Sequence, residues 1–410
     1  MTFKLKNQGF YTNSAVHTPL LVDGSRARSK VSGRICGATP AGVLFISEGS
    51  YSFAFMSLSP VELSLEIKPG ARFDLIDVRE QAAACHARLE RYPQALYCSF
   101  HTTAGYLEQS LASRLTHTKL GIGSYINLFQ TLFPAGAGYR HDDLHLREEL
   151  SADQRTVEPR NADAHLAFIA AGLRNCVKYV NRRNERVYFV DLDGINGSQP
   201  RRRLTSILAF NSEEVVARDQ IRVPVSSHPL ESVNLKDPRL GLYAQLQDVI
   251  ARHGVSKGRV HLSLAPGEHQ AGLTINEYET LLMRHDLIDV LRNPLRFMAE
   301  KGRDLLADPW AIPNKTIGYA KYDLVRLFNE TFDALHINES LMETVLARLL
   351  GAPARRFLRM KRSVSLLVSD REIPNRGAIA DGTYQSPILV QWRRAAGRQR
   401  LIDVTLTRVA

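Results

Sequence analysis

Three histidines, His101, His141 and His165, stand in polar stretches of the kind that build sites: His101-Thr-Thr-Ala-Gly, Tyr139-Arg-His141-Asp-Asp and Asn161-Ala-Asp-Ala-His165-Leu. No single helix spans their separations, so only a tertiary fold brings them together. Three neutral imidazoles would hold a divalent cation, zinc above all, with a fourth position left for water or substrate. Alternatively, one ring moves protons, because imidazole titrates near neutral pH. His165 falls in the first turn of a helix, where the macrodipole disfavours imidazolium and suits a ligand or a base. Taken singly, a helical histidine is more often packed or solvated than a ligand, and this spacing is no metal signature by itself. His117 and His145 lie outside such motifs and read as ordinary.

A second set lies nearer the C-terminus. Asn276 and Glu277 follow the apolar run Leu273-Thr-Ile. An acid at such a strand mouth moves protons when partial burial raises its pKa. Asn276 both donates and accepts, so it orients Glu277 or a substrate amide. The same pair also reads as a helix N-cap and a first-turn acid. Gly382-Thr383-Tyr384-Gln385 places a turn before a strand. The glycine admits a ligand close to the backbone, and Thr383 and Gln385 offer it a hydroxyl and an amide; the bland reading is an ordinary turn. Arg398 and Arg400, two apart, are expected on one face of the last strand, gripping a phosphate or guarding a solvated edge. Arg201 and Arg203 repeat that spacing earlier in the chain.

The elements that must position these residues occur twice. From residue 71 the order is a strand, a helical run from Glu80 to Arg91, and a strand ending at His101. A polar helical stretch and the loop after Gly138 follow. Next comes a helix opened by Asn161 or Asp163 and closed by Gly172, and then a strand turning at Asp193-Gly194. From about residue 225 the order returns, with a helix started by Asp237-Pro238 and a strand ending at Gly267-Glu-His-Gln-Ala-Gly. Further on come Gly318-Tyr-Ala-Lys-Tyr-Asp, a helix capped by Asn338 and ended by Gly351, and two closing strands. His101 sits opposite Glu268, Tyr139 opposite Tyr319, and Gly172 opposite Gly351. A slip of one residue would put His269 opposite His101, but Ala271 and Asn276 set the register at Glu268. Matching motifs in one order between matching elements indicate duplication.

At these residues the chain resembles the YjbQ-like family, whose members are described as secondary thiamine-phosphate synthases. That family carries His-Thr-Thr/Ser-Ala leading to Asn-Glu, then Tyr-x-His, a helix with an Ala/Ser-His step, and a closing Gly-Thr-Trp-Gln before an Arg-x-Arg pair. The first copy keeps the histidines but reads Gln109-Ser110 and Arg182-Arg-Asn-Glu185 at the other two motifs. The second keeps Asn276-Glu277 and Gly382-Thr-Tyr-Gln385, with Glu268, Lys321 and Thr344 at the histidine positions. The resemblance implies an α+β fold of two YjbQ-like modules, each a small β-sandwich with flanking helices. It places the modules at 71–220 and 225–410, after a β-rich N-terminal segment, 1–70. It also implies a homo-oligomer, assembled as trimers with sites near subunit boundaries.

The complementary losses imply one composite site per module pair, with His101, His141 and His165 from the first copy. Asn276, Glu277, Thr383, Gln385, Arg398 and Arg400 come from the second. By resemblance the activity is a thiamine-phosphate-synthase-like transfer on a phosphorylated or heterocyclic small molecule. Metal-dependent hydrolase or lyase chemistry at the three histidines, and a non-catalytic ligand-binding or scaffold role, stay open beside it. A divalent metal is the cofactor expected, and no organic cofactor is indicated.

Composition bounds the rest. The 410 residues are 44% hydrophobic and 23% charged, ordinary for a globular protein with room for more than one core. The net charge of +11 is mostly dispersed, and its clusters at Arg201-Arg202-Arg203 and from Arg355 to Arg362 lack the aromatic interleaving of an RNA-binding sheet. Attraction of a phosphorylated small molecule is therefore favoured over nucleic acid. No membrane span or secretory leader is read, and four sparse cysteines suit a reducing, cytoplasmic setting.

Overall fold

The computed structural model describes residues 43–47, 50–54, 58–277 apart from 148–149 and 229–230, residue 286, and 361–410. Residues 1–56 and 57–410 form two separate compact units. The first contains an antiparallel hairpin of β1 (Val43–Ser47) and β2 (Ser50–Ala54). The second carries every candidate site residue.

The second unit opens with β3 (Val61–Ile67), β4 (Asp74–Asp77) and α1 (Val78–Cys85). Asp77 caps α1, its carboxylate accepting from the Arg79 and Glu80 amides. Strands β5 (Gln94–Ser99) and β6 (Ala104–Gly105) precede helices α2 (Gln109–Arg114), α3 (Lys119–Leu132), α4 (Ala152–Val157) and α5 (Ala162–Ala170). Then come β7 (Cys176–Val180), β8 (Tyr188–Asp191), the short hairpin β9 (Ile195–Asn196) and β10 (Gln199–Pro200), and β11 (Arg203–Phe210). The stretch read as polar contains α3, which buries Ile122, Ile126 and Phe129 at helical spacing. Gly172 closes α5 at φ 74°, a left-handed position that favours glycine.

The chain continues through β12 (Glu213–Pro224), β13 (Glu231–Asn234), α6 (Leu242–Arg252), β14 (Gly258–Leu264) and β15 (Ala271–Asn276). It resumes with β16 (Ser363–Ser369), β17 (Ala378–Ala380), β18 (Ser386–Gln391) and β19 (Gln399–Val409). Asp237-Pro238 opens only a 3-10 turn, which Gly241 ends at φ 63° before α6 begins. Lys321, Thr344 and the sequence features at Gly318, Asn338 and Gly351 lie outside the described residues.

Two pairs of antiparallel sheets result. One pair is ordered β3-β11-β5-β7 and β4-β8-β6; the other is β12-β19-β14-β16-β17 and β13-β18-β15. Apart from β17 the orders correspond strand for strand. The strand pairings cross the expected boundaries at 71 and 220–225. Strand β3 precedes the first boundary yet pairs with β11, and β12 runs through the second while pairing with β19. Residues 61–67 alternate apolar and polar like any edge strand and carry no chemistry, so the motifs gave no reason to include them.

The two sheet pairs meet along a seam. Strand β5 is buried along nearly all its length, and its Leu96 and Cys98 share a cluster with Leu367 of β16 and Val409 of β19. Strand β18 serves both cores. Its Ile388 and Val390 join the first, whereas the intervening Leu389 joins the second, as the two-residue period of a strand requires. No helix among the described residues is long and apolar enough to cross a membrane.

Candidate active site at the seam

His141 lies in a 3-10 turn, Arg140–Asp142, and is fully buried. The Arg140 and His141 amides donate to the two carboxylate oxygens of Asp286, at 3.2 and 2.9 Å. A residue from the second sheet pair's portion of the chain thus fixes the turn. The Nδ1 of His141 lies 2.9 Å from Asp142 Oδ1, which also accepts from the Ala162 amide at 3.0 Å. Burial pushes the Asp142 carboxyl up to about 6, against the pull of the Ala162 amide and of Arg72 and Arg160.

His165 is the fourth residue of α5, a helix buried on every side. Asn161 precedes that helix but spends its side-chain amide on Asp193 rather than on a cap, at 2.6 Å. His165 Nδ1 meets Asn276 Oδ1 at 2.7 Å, and the same oxygen accepts from the Glu277 amide at 2.8 Å. Burial, with help from neighbouring His141, holds the His165 imidazole well below its ordinary range, so it is neutral at pH 7.

Glu277 completes the cluster. Its Oε2 lies 3.5 Å from His165 Nε2, and its Oε1 lies 3.5 Å from a guanidinium nitrogen of buried Arg147. The rings of His141 and His165 are 5.2 Å apart, and ligand atoms of His141, His165 and Glu277 all fall within 4.8 Å of one another. Neighbouring ligand atoms in a tetrahedral zinc site with bonds near 2.1 Å are separated by about 3.4 Å, so modest side-chain movement would close this set. Each ring has an oxygen on Nδ1, from Asp142 or Asn276, the outer support that metal-binding histidines show. Arg147 pairs with both Glu158, at 2.7 Å, and Glu277, at 3.5 Å.

His101 is not brought into this cluster. Its Nε2 accepts from the Leu204 amide at 2.7 Å, so the ring lies against β11. Burial, then the charges of Arg203 and Arg201, lower its pKa to about 3. Sequence spacing could not reveal that its lone pair is taken by a backbone amide.

Gln385 is buried, and its side chain is committed to backbone. Nε2 donates to Ser99 O and His101 O, each at 2.9 Å, while Oε1 accepts from the Gly382 amide at 3.0 Å. Gln385 therefore straps the end of β5 across the seam rather than presenting its amide to a ligand. Gly382 is glycine for a steric reason, since a Cβ there would lie 2.0 Å from Phe100 O. Thr383 is exposed beside this strap. Arg398 and Arg400 do not share a face. Arg398 is exposed at φ 53° before β19 begins, and Arg400 is buried, giving NH1 to Glu268 Oε2 at 2.7 Å. The two-residue period fails because Arg398 lies outside the strand.

Sequence reasoning assigned no role to Asp142, Arg147 or Asp286. Asp142 stood in the quoted Tyr-Arg-His-Asp stretch and could have been weighed. The other two carry no local signal, because their roles depend on the seam.

No family model matches the sequence. No curated protein matches it either. Among solved structures it is similar to a YbjQ-like protein of unknown function from Sulfolobus solfataricus, 16% identical with a TM-score of 0.25, over 48% of this chain and 99% of that one. A hypothetical protein from Aeropyrum pernix is 15% identical with a TM-score of 0.25, over 47% and 98%. An uncharacterized protein of the yjbq/upf0047 family from Clostridium acetobutylicum is 15% identical with a TM-score of 0.23, over 46% and 98%.

Proposed function

We propose that the two sheet pairs are diverged copies of one α+β module, fused so that an active site forms where they meet. The matching strand orders support the duplication, as does the register, in which Ala104 pairs with Asp191 as Ala271 pairs with Gln391. The proposed site is composite: His141 and His165 come from one copy, Asn276 and Glu277 from the other.

The activity that this geometry supports best is metal-assisted acid–base catalysis on a small molecule. The observation that carries it is the convergence of two buried imidazoles and one carboxylate within 4.8 Å. His141, His165 and Glu277 would hold the cation, which supplies Lewis acidity or a reactive water when bound. Asn276 orients both His165 and Glu277 through one oxygen. Burial keeps His165 neutral, the form in which an imidazole binds a cation. Asp142, its carboxyl pushed up to about 6 by burial, holds the His141 ring through Nδ1 at 2.9 Å. The substrate class remains as the resemblance implies, a phosphorylated or heterocyclic small molecule, and the thiamine-phosphate-forming transfer is the first activity to assay.

Metal analysis of the full chain tests this reading. Protein dialysed against zinc or manganese should retain about one cation per chain, and His165→Ala and Glu277→Gln should each lose it while keeping cooperative unfolding. Wild-type protein that binds no cation, or variants that bind it undiminished, would overturn it.

A further inference from the structure

A cleft of about 550 Å³ opens beside the seam, a volume suited to a small ligand. Its walls include Arg72, Arg155, Glu158, Arg160, Asp193 and Asn196. The charges facing it are unequally committed. Asp193 is buried and held by Arg201 and by Asn161 Nδ2 at 2.6 Å. Glu158 is held by Arg147 at 2.7 Å, and Arg72 grips Asp163 with both terminal nitrogens at 2.8 and 2.9 Å. Arg155 gives one terminal nitrogen to Arg147 O at 3.0 Å, and its buried Nε has no hydrogen-bond partner among the described residues. Arg160 is exposed and is tied to no described carboxylate by an ion pair. The acids of the cleft are thus neutralised by their own partners, and two guanidinium groups keep donors to spare.

We propose that this cleft is a phosphate subsite, in which Arg155 and Arg160 bind the phosphate group of a small phosphate ester. Planar guanidinium forks match phosphate oxygens in both geometry and charge. The subsite is coupled to the seam cluster by two short bridges. Arg147 contacts Glu158 in the cleft wall and Glu277 in the cluster, at 2.7 and 3.5 Å. Arg72, also in the wall, grips Asp163 on the same turn of α5 as His165. The links through Arg147 and Arg72 bear on the proposed active site; phosphate binding itself does not rest on it.

Inorganic phosphate is the probe. Titrated into the full chain at constant ionic strength, it should bind saturably and raise the unfolding temperature, with chloride giving no such shift. Arg160→Gln should weaken binding at least tenfold, and Arg155→Gln with Arg160→Gln should abolish it, whereas exposed Arg218→Gln should leave it unchanged. Should the double variant fail to fold, Arg160→Glu decides the matter alone. Equal effects of chloride and phosphate, or binding indifferent to Arg160, would overturn the proposal. Metal content, measured in the same samples, should not change with Arg160; a chain that binds phosphate but no cation would refute the metal reading and leave this one standing.

Discussion

In the first sheet pair, buried Arg203 gives Nε and NH2 to the carboxylate of Asp191 at 2.7 and 2.8 Å, while His101 accepts from the Leu204 amide. In the second, the register puts Arg400 in the place of Arg203, and Gln391 stands where Asp191 does. Arg400 Nε reaches Gln391 Oε1 at 3.2 Å, and the Leu401 amide donates to Glu268 Oε1 at 3.0 Å. The remaining Arg400 donors go to Glu268 Oε2 and to Arg393 O, as Arg203 reaches Asp193 O. Each place holds one guanidinium and one carboxylate, but the carboxylate has moved from the strand to the loop. His101 and Glu268 do the same mechanical work, accepting one backbone amide. On the duplication proposed above, Glu268 stands for a neutral acceptor as part of a charge relocation, with the carboxylate supplied by the loop in place of the strand.

The strongest way to break this comparison is to move one charge without the other. His101→Glu should put a second carboxylate against Arg203 and destabilise the protein by about 3–5 kcal/mol in urea unfolding, the usual cost of an uncompensated buried charge. Adding Asp191→Asn recreates the second pair's arrangement and should restore most of that loss, giving a large coupling energy in the double-mutant cycle. Glu268→Gln should cost a similar amount, because it strands Arg400. Independent, additive effects of His101→Glu and Asp191→Asn would refute the charge relocation.

A second contrast separates the strap at the seam from its counterpart. Gln385 makes three hydrogen bonds to backbone, two of them across the seam. Glu185, at the matching motif position, contacts Gln109 and Arg182 and stays within its own sheet pair. Gln385→Leu should therefore cost about 2–3 kcal/mol and impair metal binding, whereas Glu185→Leu should cost about 1 kcal/mol or less and leave metal binding intact. Gly382→Ala, with its Cβ forced onto Phe100 O, should cost about 1–3 kcal/mol and share the Gln385 phenotype. Equal sensitivity of metal binding to Gln385→Leu and Glu185→Leu would erase the distinction.

Much of this was legible in the sequence where a residue's role is carried by its neighbours. The order of elements showed because strands and helices announce themselves by period and caps, as at β14 with its strict alternation of buried positions. His165 and the Asn276-Glu277 pair were placed together because both sides of the seam kept motif residues. His101, Gln385 and Arg400 were misread as ligand-facing because an unsatisfied backbone amide or a buried counter-charge leaves no trace in spacing. The strand at 61–67 fell to the β-rich N-terminal segment since an edge strand needs no motif, and Arg147 and Asp286 went unassigned since Glu277 and His141, which they contact, lie far along the chain.

The smallest expected effect concerns acid. His101 titrates at about 3 in the folded chain, below the ordinary histidine value near 6.5, because burial and two arginines disfavour the cation. Between those values the unfolded chain binds more protons, so this residue's contribution is complete above pH 6.5 and declines as pH falls. Asp142 runs the other way: its carboxyl is raised to about 6, so its contribution grows as pH drops through 6. That opposing trend cancels when wild type is compared with His101→Gln, whose amide oxygen can accept the Leu204 amide without titrating. The stability difference between the two proteins should shift by about 1 kcal/mol in favour of the variant between pH 7.5 and 5.5. A difference constant across that range would mean that His101 is not the neutral counterpart of Glu268, and the charge comparison would lose its first-half member.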